Sequence, residues 1–381
     1  MSADLQMSRR IRRTPFTSCI EKLGVSGFTV VNHTLLPKAF VNSVEEDFFH
    51  LRTDVQMWDV GCQRQVEIEG PDASLLIQKM TPRNINDAEV GQCLYLPLTT
   101  DQGKIINDPI LLKLGEQKFW LSIADSDILL WAKALAIGLN LHVRIKEPDV
   151  SPLAIQGPAA QPLMVDIFGK QIEQLDFFRF GFFGFMDTQQ VISRSGYSSQ
   201  NGYEIYLNDS SMGKELWDTI WEAGAKYNVR PGAPNLIDRI EAGLLSFGND
   251  MTSENTPLEC GLEKYCCLTE KIEYLGRKQL IEERRVGSKR QLRGVIFSGK
   301  SEPACTQPWQ LYDGELNIGQ ITSGIFNPNL KVNTGIALIK RGHWNIGQRI
   351  NVVIGKEDVR EGLICFLPFT VTENREIIAR L

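Results

Sequence analysis

Histidine is scarce in this chain: four residues in 381, at His33, His50, His142 and His343. They lie far apart, so no local spacing suggests a metal-binding helix or a nucleophile with its own base, and a hydrolase reading loses support. The eight cysteines include no Cys-x-x-Cys pair. That argues against a zinc site or disulfide framework and for buried thiols in a reducing compartment, here expected to be the cytoplasm. No Gly-x-Gly-x-x-Gly turn or Gly-x-Ser-x-Gly elbow occurs. Rossmann-type redox chemistry and the common serine-hydrolase arrangement therefore lack their usual motifs.

Long apolar runs are also missing. The longest, around 128–136, is interrupted by Lys133, so no membrane span is expected. Positive charge is not in excess either: the net charge is -5, which argues against a nucleic-acid partner. What remains is an ordinary globular composition, 43% hydrophobic and 23% charged, in a chain long enough for two or three domains. Arg9, Arg10, Arg12 and Arg13 precede no apolar signal core. An arm wrapping over the fold is expected there, a mitochondrial presequence being the alternative.

Residues 1–280 read as mixed α+β without regular βαβ alternation. Strand patterns cover 64–70, 92–98, 104–114, 118–123, 153–156, 181–187 and 190–194, with helices over 127–137, 161–168, 213–226 and 236–247. A polar linker is expected near 282–289. The last ninety residues then break into short strands separated by Gly, Asn and Asp turns, ending with one over 363–369, and read as a small antiparallel barrel or jelly-roll-like module.

Candidate sites come from carboxylates, aromatics and arginines. Asp108 stands where the strand period calls for an apolar residue. Pattern alone favours an exposed edge carboxylate halted by Pro109, with a site residue as the alternative. In 202–208, Tyr203, Ile205 and Leu207 alternate with Glu204 and Tyr206, which must share the opposite face. That face reads either as a polar outer surface or as a ligand-reading pair. Within the expected helix 236–247, Arg239, Ala242, Gly243 and Ser246 would share one stripe, for a ligand or for close packing. The aromatics Trp58, Tyr95, Tyr197, Tyr206 and the 177–183 run are core by default, with a subset available to line a cavity.

Five segments occur in a telling order: Gln102-Gly-Lys-Ile-Ile-Asn-Asp108, Ala154-Ile-Gln-Gly-Pro158, Arg194-Ser-Gly-Tyr through Gly202-Tyr-Glu-Ile205, Arg239-Ile-Glu-Ala-Gly243 and Tyr274-Leu-Gly-Arg-Lys278. Together they resemble the glycine-cleavage T-protein (aminomethyltransferase) family of tetrahydrofolate-dependent enzymes, over nearly the whole chain. Val55 through Val66, Asn107-Asp-Pro109, Leu121 through Asp127 and Ser246-Phe-Gly-Asn-Asp250 resemble the branch of that family that removes a methyl group from a dimethylsulfonium compound. The T-protein itself usually has paired aspartates where this chain has Asn107 and Asp108, and Thr-Gly-Glu-Asp-Gly where it has Ser198-Ser-Gln-Asn-Gly202. These departures argue against aminomethyl–lipoyl chemistry and leave the folate motif intact.

The resemblance implies a three-domain, cloverleaf-like α+β fold around a central folate channel. Its units would be a discontinuous folate-binding domain (1–50 and 140–280), an inserted domain (51–139) and a C-terminal barrel (281–381). It implies direct methyl transfer to tetrahydrofolate, with no metal and no nucleotide. Asp108 would be catalytic, with Glu204, Arg239 and Tyr197 on the folate and Tyr206, Tyr95 and Ser246 on the sulfonium substrate. Rival readings are a folate-dependent demethylase or aminomethyltransferase with an N-methyl or O-methyl donor, and a non-catalytic folate-binding assembly factor. The assembly factors' Lys-Gly-Cys-Tyr-x-Gly-Gln-Glu signature is not found here. Either a monomer or a homodimer is compatible with the sequence.

Overall fold

The structure is a computed structural model, described for residues 6–269, 271–355 and 358–381. Two sheets and a barrel form its frame. The five-stranded sheet runs Arg144–Lys146, Gln65–Glu69, Lys118–Ser122, Ile110–Gly115, Cys93–Tyr95. The six-stranded sheet runs Phe180–Phe185, Thr188–Ser193, Gly202–Asn208, Val150–Gln156, Gln56–Asp59, Arg230–Gly232, with only the last pair parallel. Strands Arg290–Phe297, Val332–Lys340, Leu316–Asn327, Trp309–Asp313, Arg349–Ile354 and Asp358–Cys365 close the barrel, which removes the free edges that short strands would otherwise expose.

Burial of Gly202–Asn208 on both faces determines where a site can form. Tyr203, Ile205 and Leu207 pack on one face with Leu163 and Met164 of the helix Ala160–Phe168 and with Leu216, Trp217 and Ile220 of the helix Gly213–Gly224. On the other face Tyr206 packs with Cys93, Leu112 and Trp120 of the five-stranded sheet. Glu204 is only 6% exposed. The polar-surface reading of this strand is therefore overturned: the second face is covered by another sheet, a fact its alternating pattern does not contain.

A third apolar cluster ties the barrel to the rest. Leu292, Ile296, Ile325 and Leu363 meet Phe48, Ile105, Ile237 and Ile240. The expected helix 236–247 is short here, running only over Leu236–Glu241. Gly243 takes φ +68°, a left-handed conformation that ends a helix and suits glycine. Ala242, Gly243 and Ser246 therefore do not form a helical stripe with Arg239.

Four other expectations shift. The 104–114 strand is two strands, Ile105–Asn107 and Ile110–Gly115, separated by Asp108 and Pro109. The linker at 282–289 is mostly the end of the helix Arg277–Val286, which Gly287 (φ +82°) terminates. The final strand ends at Cys365, eight residues starting from Asp358. The aromatic run is not all core, since Phe177 is 71% and Phe182 57% exposed.

The arginine-rich segment lies on the fold. Arg12 donates its N–H to the His33 carbonyl at 2.6 Å and its Nη1 to Glu147, also at 2.6 Å, while the Thr14 hydroxyl donates to buried Asp59 at 2.5 Å. All eight thiols are free. Among the described residues no helix is long and apolar enough to cross a membrane, and no cluster of His, Cys, Asp and Glu is arranged to hold a metal ion.

Candidate active site

Proline has no N–H for a sheet ladder, and Asp108 precedes Pro109 at the break between the two strands. The break turns the carboxylate inward. Tyr95 Oη donates to Asp108 Oδ2 at 3.0 Å, whereas Oδ1 is closed off from solvent and has no hydrogen-bond partner among the described residues. Burial pushes the carboxyl up to about 7, against the Tyr95 hydrogen bond, which lowers it. Asp108 is thus no exposed edge residue.

Tyr197 and Arg239 belong to the same electrostatic neighbourhood. Burial raises the Tyr197 phenol; the Arg239 charge opposes this, while Asp250 and Asp108 add to it. The phenol itself donates to the Leu245 carbonyl at 2.6 Å. Arg239 is tied down: Nη1 donates to Asp250 (2.9 Å) and to the Leu244 carbonyl (3.2 Å), and Nη2 to Ser323 (2.7 Å). Asp250 is equally occupied, accepting the Ser246 N–H (3.0 Å) on Oδ2 and the Thr322 hydroxyl (2.8 Å) on Oδ1. Ser246 joins the cluster through its backbone, and its hydroxyl accepts from Asn249 at 3.0 Å.

The second carboxylate is that of Glu204, on the strand Gly202–Asn208. Ser195 donates to Glu204 Oε2 at 2.5 Å and is itself 2.5 Å from the Ser193 hydroxyl. Burial raises Glu204, with the Ser195 bond working against it. Oε1 has no hydrogen bond from the described residues. Beside it, the Tyr206 phenol is raised by burial first, then by the charges of Glu204 and Cys93. Its ring centroid is 6.1 Å from that of Trp120.

Cys93 and Tyr95 stand two residues apart on one strand, and the Glu204 charge acts on the first and the Asp108 charge on the second. The segment that follows the strand Thr188–Ser193, with Ser195 and Tyr197, is held by Gln156, which is fully buried. Its Nε2 donates to the Ser195 carbonyl at 3.1 Å and its Oε1 accepts from Ser198 at 2.6 Å. A Cβ on Gly196 would lie 2.1 Å from Gln156 Oε1, and one on Gly202 2.3 Å from its Nε2, so both glycines make room for that side chain.

The chain matches the model of the GCVT N-terminal domain over residues 16–270 and that of the glycine cleavage T-protein C-terminal barrel domain over 290–370. It belongs to the glycine-cleavage T-protein family. This family comprises folate-dependent methyl and aminomethyl transferases, so the chain is an enzyme of that class. Dimethylsulfoniopropionate demethylase DmdA of Ruegeria pomeroyi is 44% identical over 92% of this chain and 95% of its own length. The aminomethyltransferase of Alkaliphilus metalliredigens is 30% identical over 82% of this chain and 86% of its own length. In fold, the T-protein of Bartonella henselae superposes with a TM-score of 0.84 at 24% identity, covering 94% of this chain and 98% of that one.

Relative to this T-protein framework, sequence reasoning singled out Asp108, Tyr95, Tyr197, Arg239 and Ser246, which form one group, and Glu204 and Tyr206, which form the other. Ser195, Gln156 and Asp250 were missed as functional supports, although each lies inside a quoted motif. The two-residue spacing of Ser193 and Ser195 was the available signal for the first. Asn107, where the T-protein usually has an aspartate, has its amide fully used: it donates to the Ala124 carbonyl (3.1 Å) and Ser126 (2.8 Å) and accepts from the Ala124 N–H (3.1 Å). An aspartate could not make the two donations.

Proposed function

We propose that this chain is a cytoplasmic enzyme that transfers a methyl group from dimethylsulfoniopropionate to tetrahydrofolate. The observation that carries the reading is its 44% identity, over 92% of its length, to a dimethylsulfoniopropionate demethylase. The structural amide at Asn107 favours this over aminomethyl transfer, because the usual carboxylate is absent there.

Two carboxylate oxygens without partners among the described residues, Glu204 Oε1 and Asp108 Oδ1, fit a flat heterocycle rich in N–H groups. Bound tetrahydrofolate supplies the nitrogen that receives the methyl group. Glu204 accepts from the ring's N–H and amino donors, with Ser195 holding its other oxygen in place. Asp108 Oδ1 takes the proton that this nitrogen loses, while Tyr95 steadies Oδ2. The new N–C bond forms as the S–C bond breaks, and its electron pair remains on sulfur. A sulfonium cation becomes a neutral thioether and one proton passes to Asp108, so no oxidant or reductant is required. The phenol rings of Tyr206 and Tyr95 offer π faces to the sulfonium without a competing nucleophile. The protein's main contribution is alignment in a dry site, which can account for about 7–11 kcal/mol of barrier.

The test is incubation with tetrahydrofolate and dimethylsulfoniopropionate. The expected products are 5-methyltetrahydrofolate and 3-(methylthio)propionate in equal amounts. No product from this pair, with turnover of an N-methyl or O-methyl donor, would reject the assigned substrate.

A further inference from the structure

The loop that follows the helix Ala73–Met80 passes beside Tyr95, the last residue of the strand Cys93–Tyr95. Arg83 in that loop donates Nη1 to the Tyr95 carbonyl at 2.8 Å, and Thr81 donates its hydroxyl to the Pro97 carbonyl, also at 2.8 Å. A second segment, distant in sequence, closes on the same residue. The short turn Glu263–Tyr265 brings the Tyr265 ring to 5.0 Å from the Tyr95 ring, centroid to centroid, at an interplanar angle of 52°. The two segments are joined twice. The Cys267 N–H donates to the Pro82 carbonyl at 2.8 Å, and the Arg83 guanidinium lies 5.1 Å from the Tyr265 ring centroid. Arg83 thus holds Tyr95 through its carbonyl and through the ring packed on it. A flat guanidinium can donate and cover a ring at once, which a lysine does less well.

The Tyr95 backbone is fixed by its neighbours. Its strand pairs with Ile110–Gly115, and the Leu96 N–H donates to the Pro109 carbonyl at 2.9 Å, which ties the strand end to the Asp108–Pro109 break. The remaining freedom is the turn of the Tyr95 ring. Its hydroxyl stands at the far end of the side chain, so a small rotation spoils the 3.0 Å bond to Asp108 Oδ2. The Tyr265 ring bears on that rotation.

We infer that Arg83 and Tyr265 are positioning residues that act through the Tyr95 hydroxyl on the Asp108 carboxylate. The inference rests on the methyl-transfer reading, in which Asp108 takes the proton. A bracket that served only to join the two segments would change stability and leave Asp108 as it is.

The variants are Arg83→Met, Tyr265→Leu and Tyr265→Phe, each alone and combined with Tyr95→Phe. Two measurements are made on them across pH 5.5 to 9. The first is kcat with dimethylsulfoniopropionate and tetrahydrofolate. The second needs no substrate: carboxylate NMR of aspartate-labelled protein, with the Asp108 signal identified by its loss in Asp108→Asn. Asp250 also bears on Asp108, and Cys260 and Tyr197 on Tyr95; the substitutions leave all three in place.

Arg83→Met and Tyr265→Leu each lower kcat about tenfold or more, as misplaced catalytic groups do. The Tyr95 bond lowers Asp108, so loosening it moves the Asp108 midpoint upward from about 7, by about half a pH unit or more. Tyr265→Phe keeps the ring and stays close to wild type. With Tyr95→Phe already present, neither change lowers kcat or moves the midpoint further, because the hydroxyl they aim is gone. A wild-type midpoint in Arg83→Met and Tyr265→Leu, or losses that multiply with that of Tyr95→Phe, overturns the inference. If one of the two variants does not fold, the other decides; failure of both makes the bracket structural and also overturns it. If wild type does not turn over dimethylsulfoniopropionate, the methyl-transfer reading falls, and the NMR arm alone decides whether the bracket sets Asp108.

Discussion

Tyr95 donates to one oxygen of Asp108 at 3.0 Å and leaves the other buried without a partner among the described residues. A carboxylate half-satisfied by a phenol is oriented, costly to ionise, and ready to receive a proton on its free oxygen. The catalytic proposal depends on this pair. Removing the phenol should therefore alter the carboxylate's titration as well as its position.

Asp108→Asn should lower kcat by about a hundredfold or more, in the range of a lost general base, with tetrahydrofolate affinity nearly unchanged. Wild-type kcat should rise with pH through about 7 as Asp108 ionises, and the variant should lose that limb. Single-turnover rates from pH 5.5 to 8.5 would check this; a retained limb would assign it to another group.

The same shift has a stability consequence. The folded carboxyl at about 7 binds protons more tightly than its unfolded form near 3.8, so it costs stability as pH rises through that window. Asp108→Asn should then be more stable than wild type at pH 8 by about 2–4 kcal/mol, with the difference vanishing near pH 3. Thermal melts across this range would show the convergence.

Glu204→Gln should weaken tetrahydrofolate binding by about tenfold to a hundredfold, because a carboxylate accepting paired donors is replaced by an amide that must offer a donor to one of them. Ser195→Ala should have a smaller effect in the same direction and move it to higher pH, since the hydrogen bond that lowers Glu204 is gone. Calorimetry at pH 6 and 8 distinguishes the two variants.

Gly202→Ala forces a Cβ to within 2.3 Å of Gln156 Nε2 and should destabilise the protein by about 1–3 kcal/mol. Shortening Gln156 to alanine makes that room, so the double variant should lose less than the sum of the two single changes. Additive melts would show that the glycine is not there for Gln156.

Asp250→Asn leaves the Arg239 charge buried without its partner, at a cost of about 3–5 kcal/mol. Because Ser323 and Thr322 of the barrel hold the same pair, the loss should appear first as loosened contact between the barrel and the segment after the helix Leu236–Glu241. Hydrogen exchange at those residues reads it directly.

Part of the strand frame was legible from local pattern, because Gly202–Asn208 carries the two-residue alternation that its backbone imposes. The helix after Asn235 was misread in length, since a glycine at positive φ looks in sequence like any tolerated helical glycine. Asp108 and Glu204 were visible as residues that broke or shared a pattern, but their environment was not. The supports Ser195, Gln156 and Asp250 gave only motif membership, which carries no direction for a side chain.

For this protein, the sequence by itself determined the order of the family motifs, the pairing of Glu204 and Tyr206 on one strand face, and the change to a barrel near the C-terminus. These follow from residue spacing along a regular backbone. Only the tertiary structure decided that this face is dry and that Asp108 turns inward with one oxygen unclaimed among the described residues. Burial and charge pairing depend on what another part of the chain brings opposite, and local periodicity does not encode that.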